Sequence, residues 1–266
     1  MTDPRDPIFD IPEGMERLRA VMARLRDPER GCPWDIEQDF STIAPYTIEE
    51  AYEVDDAIRR GDMEDLKGEL GDLLFQSVFH ARMAEEAGAF DLQDVIRCIT
   101  DKMISRHPHV FGDQSRDKSA DQQTTDWEVE KARERARRGE KGALDGVALG
   151  LPALMRAEKL QKRAARVGFD WPDVEGPLAK ISEEAREVAE ATPETVAEEM
   201  GDLLFAAVNL ARHLGVDPET ALRGANEKFA RRFRHIEASL RAEGTTPAES
   251  TLKEMDALWE AAKRAE

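Results

Sequence analysis

Residues 181–205 read ISEEAREVAEATPETVAEEMGDLLF, and the fold follows from this stretch. Two helical segments meet across Thr192-Pro193, and each carries carboxylates three residues apart: Glu184 with Glu187, and Glu199 with Asp202. A spacing of three or four places side chains on one face of a helix. If the second segment folds back on the first, four carboxylates converge on one interface. Like charges at such range repel unless a cation lies between them. All-oxygen ligands suit a hard ion such as Mg²⁺, which keeps some water and takes further ligands from substrate phosphates. The neighbours Ile181, Val188, Met200, Leu203, Leu204 and Phe205 are apolar, so the acidic residues belong to a packed face and not to a solvated surface.

The pattern occurs twice. Residues 48–75 read IEEAYEVDDAIRRGDMEDLKGELGDLLF, with Glu50 and Glu53 in the first segment and Glu69 and Asp72 in the second. EExxEV starts at both Glu49 and Glu183, and ELGDLLF differs from EMGDLLF at a single position. One acidic pair is most simply a hydrated helix face; two copies in matching order, each in apolar sequence, point to a duplicated site.

Outward from these repeats the order of elements also repeats. A helix is expected from Met15 to about Arg26, with Leu18, Val21, Met22 and Leu25 as its apolar stripe, then a turn-rich loop to Trp34. The first carboxylate helix is expected over about 47–60, closed by Gly61, and the second runs from Met63 to about Gly88 with Asp62 as its cap. A further helix covers about 92–106. A polar loop is expected over 113–124, and Trp127 opens a charged connecting helix. In the second half, a helix over about 151–166 leads to a loop with Trp171, the counterpart of Trp34. After the carboxylate helices, Asp217-Pro218 starts another helix, and the last carries Trp259. DKMISRH aligns with EKFARRF, matching Lys102 with Lys228 and Arg106 with Arg232, while Trp127 matches Trp259. Period-two stretches of β-branched residues are few. The expected fold is all-α, two tandem related helical bundles, with domains at 1–142 and 143–266.

Composition narrows the function. Of 266 residues 35% are charged and 6% aromatic, with a net charge of −18. That field disfavours binding nucleic acid or an anionic membrane through bulk electrostatics. No apolar run approaches the roughly 20 residues that span a bilayer, and the acidic, Pro-rich start lacks a signal-peptide pattern. Cys32 and Cys98 make no metal-type spacing, and a cytoplasmic protein with reduced thiols is expected. The Glu-x-x-His motif of di-iron bundles is missing.

EExxE followed by ExxD, DLLF after it, NEKFxRRF downstream and a Trp-bearing C-terminal helix together resemble the MazG family of nucleoside triphosphate pyrophosphohydrolases, in its tandem two-domain form. The resemblance covers nearly the whole chain. It implies Mg²⁺-dependent hydrolysis of NTP or dNTP to monophosphate and pyrophosphate, with Mn²⁺ as a possible substitute, by an all-α homodimer serving the nucleotide pool or stress-nucleotide control. It also implies Glu184, Glu187, Glu199 and Asp202 as metal ligands and Lys180, Glu198, Lys228, Arg232 and Trp259 as nucleotide contacts, with the C-terminal half carrying the main activity. Glu50, Glu53, Glu69 and Asp72 match the same ligands in the N-terminal half, where Thr47, three positions before Glu50, stands in place of Lys180, with Tyr46 one residue before it. From the chemistry, Glu183 or Glu198 would activate the attacking water, while Lys228 and Arg232, one turn apart, would clamp the triphosphate. A specialised dUTP, dCTP or phosphoribosyl-ATP pyrophosphohydrolase stays open at this stage. So does a helical interaction module, for which the N-terminal half is the natural place to dock a protein partner.

Overall fold

The computed structural model of the protein describes residues 6–113, 117, 119, 123, 127 and 142–266. Among the described residues regular structure is helical throughout, as the sequence predicts. The chain divides into two compact units, Met1–Glu130 and Lys131–Glu266. The connecting helix expected from Trp127 lies outside the described residues except for Trp127 itself, and so does most of the polar loop expected over 113–124.

The first unit contains α1 (Met15–Leu25), α2 (Pro33–Glu37), α3 (Phe40–Arg60), α4 (Met63–Glu86), α5 (Leu92–Arg106) and the single turn α6 (Pro108–Phe111). Two starts differ from the sequence expectation. Pro33 opens α2 instead of ending the loop, because a first-turn position needs no backbone N–H. Helix α3 begins seven residues earlier, at Phe40 instead of Thr47, since Asp39 and Thr42 form a reciprocal capping box. Gly61, at φ 67°, ends α3 in the left-handed conformation that glycine adopts freely. Asp62 then caps α4 by accepting from the Asp65 N–H at 3.1 Å, so α4 folds back along α3.

Met22, Ile43, Val78, Phe79, Ala81, Met83 and Leu92 form the core of this unit, with Leu18, Phe75 and Ile96 packed against it. Phe75 meets Phe79 edge-on, ring centroids 6.2 Å apart, and burial of one such ring contributes about 1.5–3 kcal/mol. Arg26 fastens the loop to the core: it pairs with Glu86 at 2.7 Å, donates to the Asp35 carbonyl at 2.6 Å and lies over the Phe79 ring.

The second unit contains α7 (Ala153–Arg166), α8 (Glu175–Glu190), α9 (Val196–His213), α10 (Pro218–Ala242) and α11 (Leu252–Arg264). The expected break at Thr192-Pro193 separates α8 from α9, with the Thr192 carbonyl accepting from Thr195 and Val196. Asp217 caps α10 through the Thr220 N–H at 2.7 Å. Thr251 and Glu254 form the capping box of α11. Among the described residues the buried apolar side chains here include Pro177, Ala206, Val208, Ile236, Leu240 and Ala262, and Gln161, Glu184 and Asn209 are buried too.

Candidate active site

Folding of α9 onto α8 brings the expected carboxylates together as two triads instead of one set of four. Ligand atoms of Glu184, Glu199 and Asp202 lie within 4.8 Å of one another, and so do those of Glu183, Glu184 and Glu187. The two triads share Glu184, which is 3% exposed. Burying a carboxylate is costly unless it is paired, and Lys180, one turn earlier on α8, reaches Glu184 at 2.5 Å and Glu183 at 2.9 Å. These bonds hold the Lys180 ammonium well above its ordinary range and pull the Glu183 carboxyl below its own. Partial burial first, and then the neighbouring Glu184, push Glu187 up.

In the first unit the converging set is a different one, Glu50, Glu53 and Glu69; Asp72, also expected as a ligand there, does not join it among the described residues. Burial and then the charges of Asp72, Glu53 and Glu69 raise Glu50, and Glu69 is raised by burial, Glu53, Asp65 and Asp72. Both acidic sets offer only carboxylate oxygens, crowded enough that their ionised forms repel. A hard divalent cation is the partner that such a set fits. Positions around them diverge, however. Where α8 has Lys180, α3 has Tyr46, whose ring packs edge-on against Trp34 at 6.0 Å. Where α9 has Glu198, α4 has Gly68.

Beside the second unit's carboxylates opens a cleft of about 810 Å³, whose wall includes Lys180, Glu184, Asp202, Gln161, Asn209 and Trp171. Asp170 secures the loop before α8: its carboxylate takes Arg212 and also His213, at 3.0 Å. Those bonds, the Arg212 one foremost, hold the Asp170 carboxyl down at about 2. The ring of Trp171 then lies against the first turn of α8, where Gly176 leaves room; a Cβ there would sit 2.1 Å from the ring.

The other residues expected to touch nucleotide gather elsewhere in this unit. Arg232 sits over the Trp259 ring at 5.3 Å, Phe229 lies 5.4 Å from Trp259, and Glu266 accepts from Arg232 at 2.6 Å. Lys228 is exposed on α10. Among the described residues the cleft wall includes none of these. Conversely, sequence reading passed over Gln161, Asn209, Asp170 and Arg212. The signal for the first two is a polar residue at a buried position of an amphipathic helix, which stands out only once burial is known.

Comparison with known proteins agrees with this geometry. The model of the MazG nucleotide pyrophosphohydrolase domain matches twice, at residues 38–111 and 174–237. The chain is 53% identical over 258 residues to the nucleoside triphosphate pyrophosphohydrolase of Escherichia coli K12, covering 95% of this chain and 98% of that one. It is 45% identical over 249 residues to the nucleoside triphosphate pyrophosphohydrolase/pyrophosphatase MazG of Thermotoga maritima, covering 93% and 95%. Against the uncharacterized protein YabN of Bacillus subtilis it is 44% identical over 255 residues, which span 94% of this chain and 51% of that one. Both acidic hairpins fall inside the matched segments, and the chain belongs to the MazG nucleotide pyrophosphohydrolase family.

Proposed function

We propose that the C-terminal unit hydrolyses nucleoside triphosphates to the monophosphate and pyrophosphate, using a divalent cation. The observation that carries this reading is the pair of carboxylate triads sharing buried Glu184 at the wall of a nucleotide-sized cleft. Glu184, Glu187, Glu199 and Asp202 would hold the ion, Mg²⁺ with Mn²⁺ as substitute. Its contribution, when bound, is to neutralise and orient phosphate oxygens.

The chain's own groups supply the rest. Water attacks the α-phosphorus, the bond from it to the bridging oxygen breaks, and pyrophosphate departs. A carboxylate must take the proton of that water. Glu183 is held by Lys180 and made less basic, so the role goes to Glu198, exposed in the first turn of α9 beside Glu199. Lys180 pairs with Glu184 at 2.5 Å and presents a cation to the cleft. Lys228 and Arg232 clamp the outer phosphates once Arg232 leaves Glu266, and Trp259 turns with it. A homodimer is consistent with Met200 and Leu204, apolar and exposed on the ligand-bearing helix α9; light scattering of the pure protein tests it.

Pyrophosphate release from a panel of NTPs and dNTPs, with Mg²⁺ and with chelator, tests the activity. Asp202→Asn should lower turnover by more than the roughly 10–100-fold that loss of an outer partner costs a metal site, with helical content unchanged by circular dichroism. Undiminished turnover in that variant would remove Asp202 from the ligand set.

A further inference from the structure

The two units treat one pair of buried positions in opposite ways. Helix α1 buries a single residue, Met22, and α7 likewise buries a single residue, Gln161. In the repeat that follows, DLLFQSVF of α4 aligns with DLLFAAVN of α9, setting Phe79 against Asn209. The first unit therefore closes this place with Met22 and Phe79, both members of its core. The second places two amides there, Gln161 at 5% exposure and Asn209 at 7%, and both line the cleft.

Neither amide is used up by the protein. Gln161 donates through Nε2 to the Phe205 carbonyl at 2.8 Å, which assigns the other end as its carbonyl, and that Oε1 is buried with no partner among the described residues. Asn209 accepts through Oδ1 from Arg212 at 2.7 Å, leaving its N–H donors over. A buried acceptor without a donor weakens a fold, and the first unit shows that an apolar pair suffices here. The amides thus bring an acceptor and a donor to one cleft, whose wall also holds Trp171.

We propose that this cleft is the nucleobase subsite, in which Gln161 and Asn209 hydrogen-bond the edge of the base and Trp171 covers its face. This rests on the nucleotide reading above. It assigns base recognition to α7, α9 and the Trp171 loop, and it leaves Trp259 to the phosphate side with Arg232. An aromatic face together with an acceptor and a donor is the chemistry that binds a planar heterocycle with mixed edge polarity.

The test is equilibrium binding to the full chain with Mg²⁺. The probes are the four α,β-methylene ribonucleoside triphosphates, with inorganic tripolyphosphate as the base-less reference, and pyrophosphate release from the ordinary NTPs is followed alongside. The wild type should bind at least one of the four more tightly than tripolyphosphate. Gln161→Met, which installs the residue of the first unit, should weaken that analogue about five- to tenfold, the worth of one net hydrogen bond, and leave tripolyphosphate unchanged. Gly176→Ala, which displaces the Trp171 ring without touching Gln161, should do the same.

Equal weakening of analogue and tripolyphosphate in both variants would mean a general disturbance and would overturn the assignment. No advantage of any base over tripolyphosphate would overturn it too, and hydrolysis by the same wild type would show that the proposed activity survives. Base-dependent binding lost in Gln161→Met, without hydrolysis by the wild type, would uphold the subsite and reject the activity.

Discussion

The two halves of this chain carry the same acidic hairpin in two different surroundings. In the first unit Glu50, Glu53 and Glu69 converge beside Tyr46, Gly68 and a core closed by Met22 and Phe79. In the second, Glu184, Glu187, Glu199 and Asp202 stand with Lys180, Glu198 and a cleft walled by Gln161 and Asn209. Each exchange from the second unit to the first replaces a charged or amide group by an uncharged aromatic, an apolar side chain or none. The cation-binding geometry can thus persist in a repeat that fills the aligned positions with the core side chains Met22 and Phe79. Ligand spacing marks where a metal can go; its surroundings decide whether a substrate can follow.

The largest effect that would break this contrast concerns packing. Phe79→Ala should destabilise the first unit by about 3–5 kcal/mol, the usual cost of emptying a fully buried aromatic site. Asn209→Ala, at the aligned position, should cost the second unit about 1 kcal/mol, because Arg212 keeps Asp170 as a partner. Denaturant unfolding of the full chain checks both, and equal costs would mean that the two positions are packed alike.

Next in size is the cation beside the buried carboxylate. Lys180→Met leaves Glu184 without its 2.5 Å partner. Such a truncation costs about 2 kcal/mol or more, so kcat/KM should fall about thirtyfold. Tyr46→Lys should leave pyrophosphate release unchanged, since Gly68 still offers no base; a rise would show that the first unit lacks only the cation.

The smallest effect belongs to the loop that carries Trp171. The Asp170 carboxyl is lowered from 3.8 to about 2, so its contribution is complete above about pH 4 and is lost as pH falls towards 2. Asp170→Asn should lower stability by about 1 kcal/mol or less near neutrality, in keeping with a partly exposed ion pair. That deficit against wild type should shrink between pH 4 and pH 2 in thermal scans. A deficit independent of pH would assign the loss to packing.

Much of this was legible in the sequence because the periodicity is strong. The carboxylate spacing placed Glu184, Glu199 and Asp202 together, and the Asp-Pro and Gly-Asp pairs marked helix ends correctly. The start of α3 was misread because its capping box, Asp39 with Thr42, lies ahead of the apolar pattern and outweighs Pro45 within the helix. Gln161 and Asn209 stayed hidden for a different reason. A polar residue within a helix reads as surface until the neighbouring helices are in place, and only the aligned Phe79 shows that the site is interior. Docking of Asp170 on Arg212 depends on contact across some forty residues, which local patterns do not encode.

The most direct measurement is pyrophosphate release by wild type, Glu50→Gln and Glu184→Gln under the same Mg²⁺ concentration. The second unit being the enzyme, Glu184→Gln should lose nearly all turnover and Glu50→Gln should retain it. Comparable partial loss in both variants would contradict this, and would mean that the first unit hydrolyses nucleotides despite the buried Met22 and Phe79.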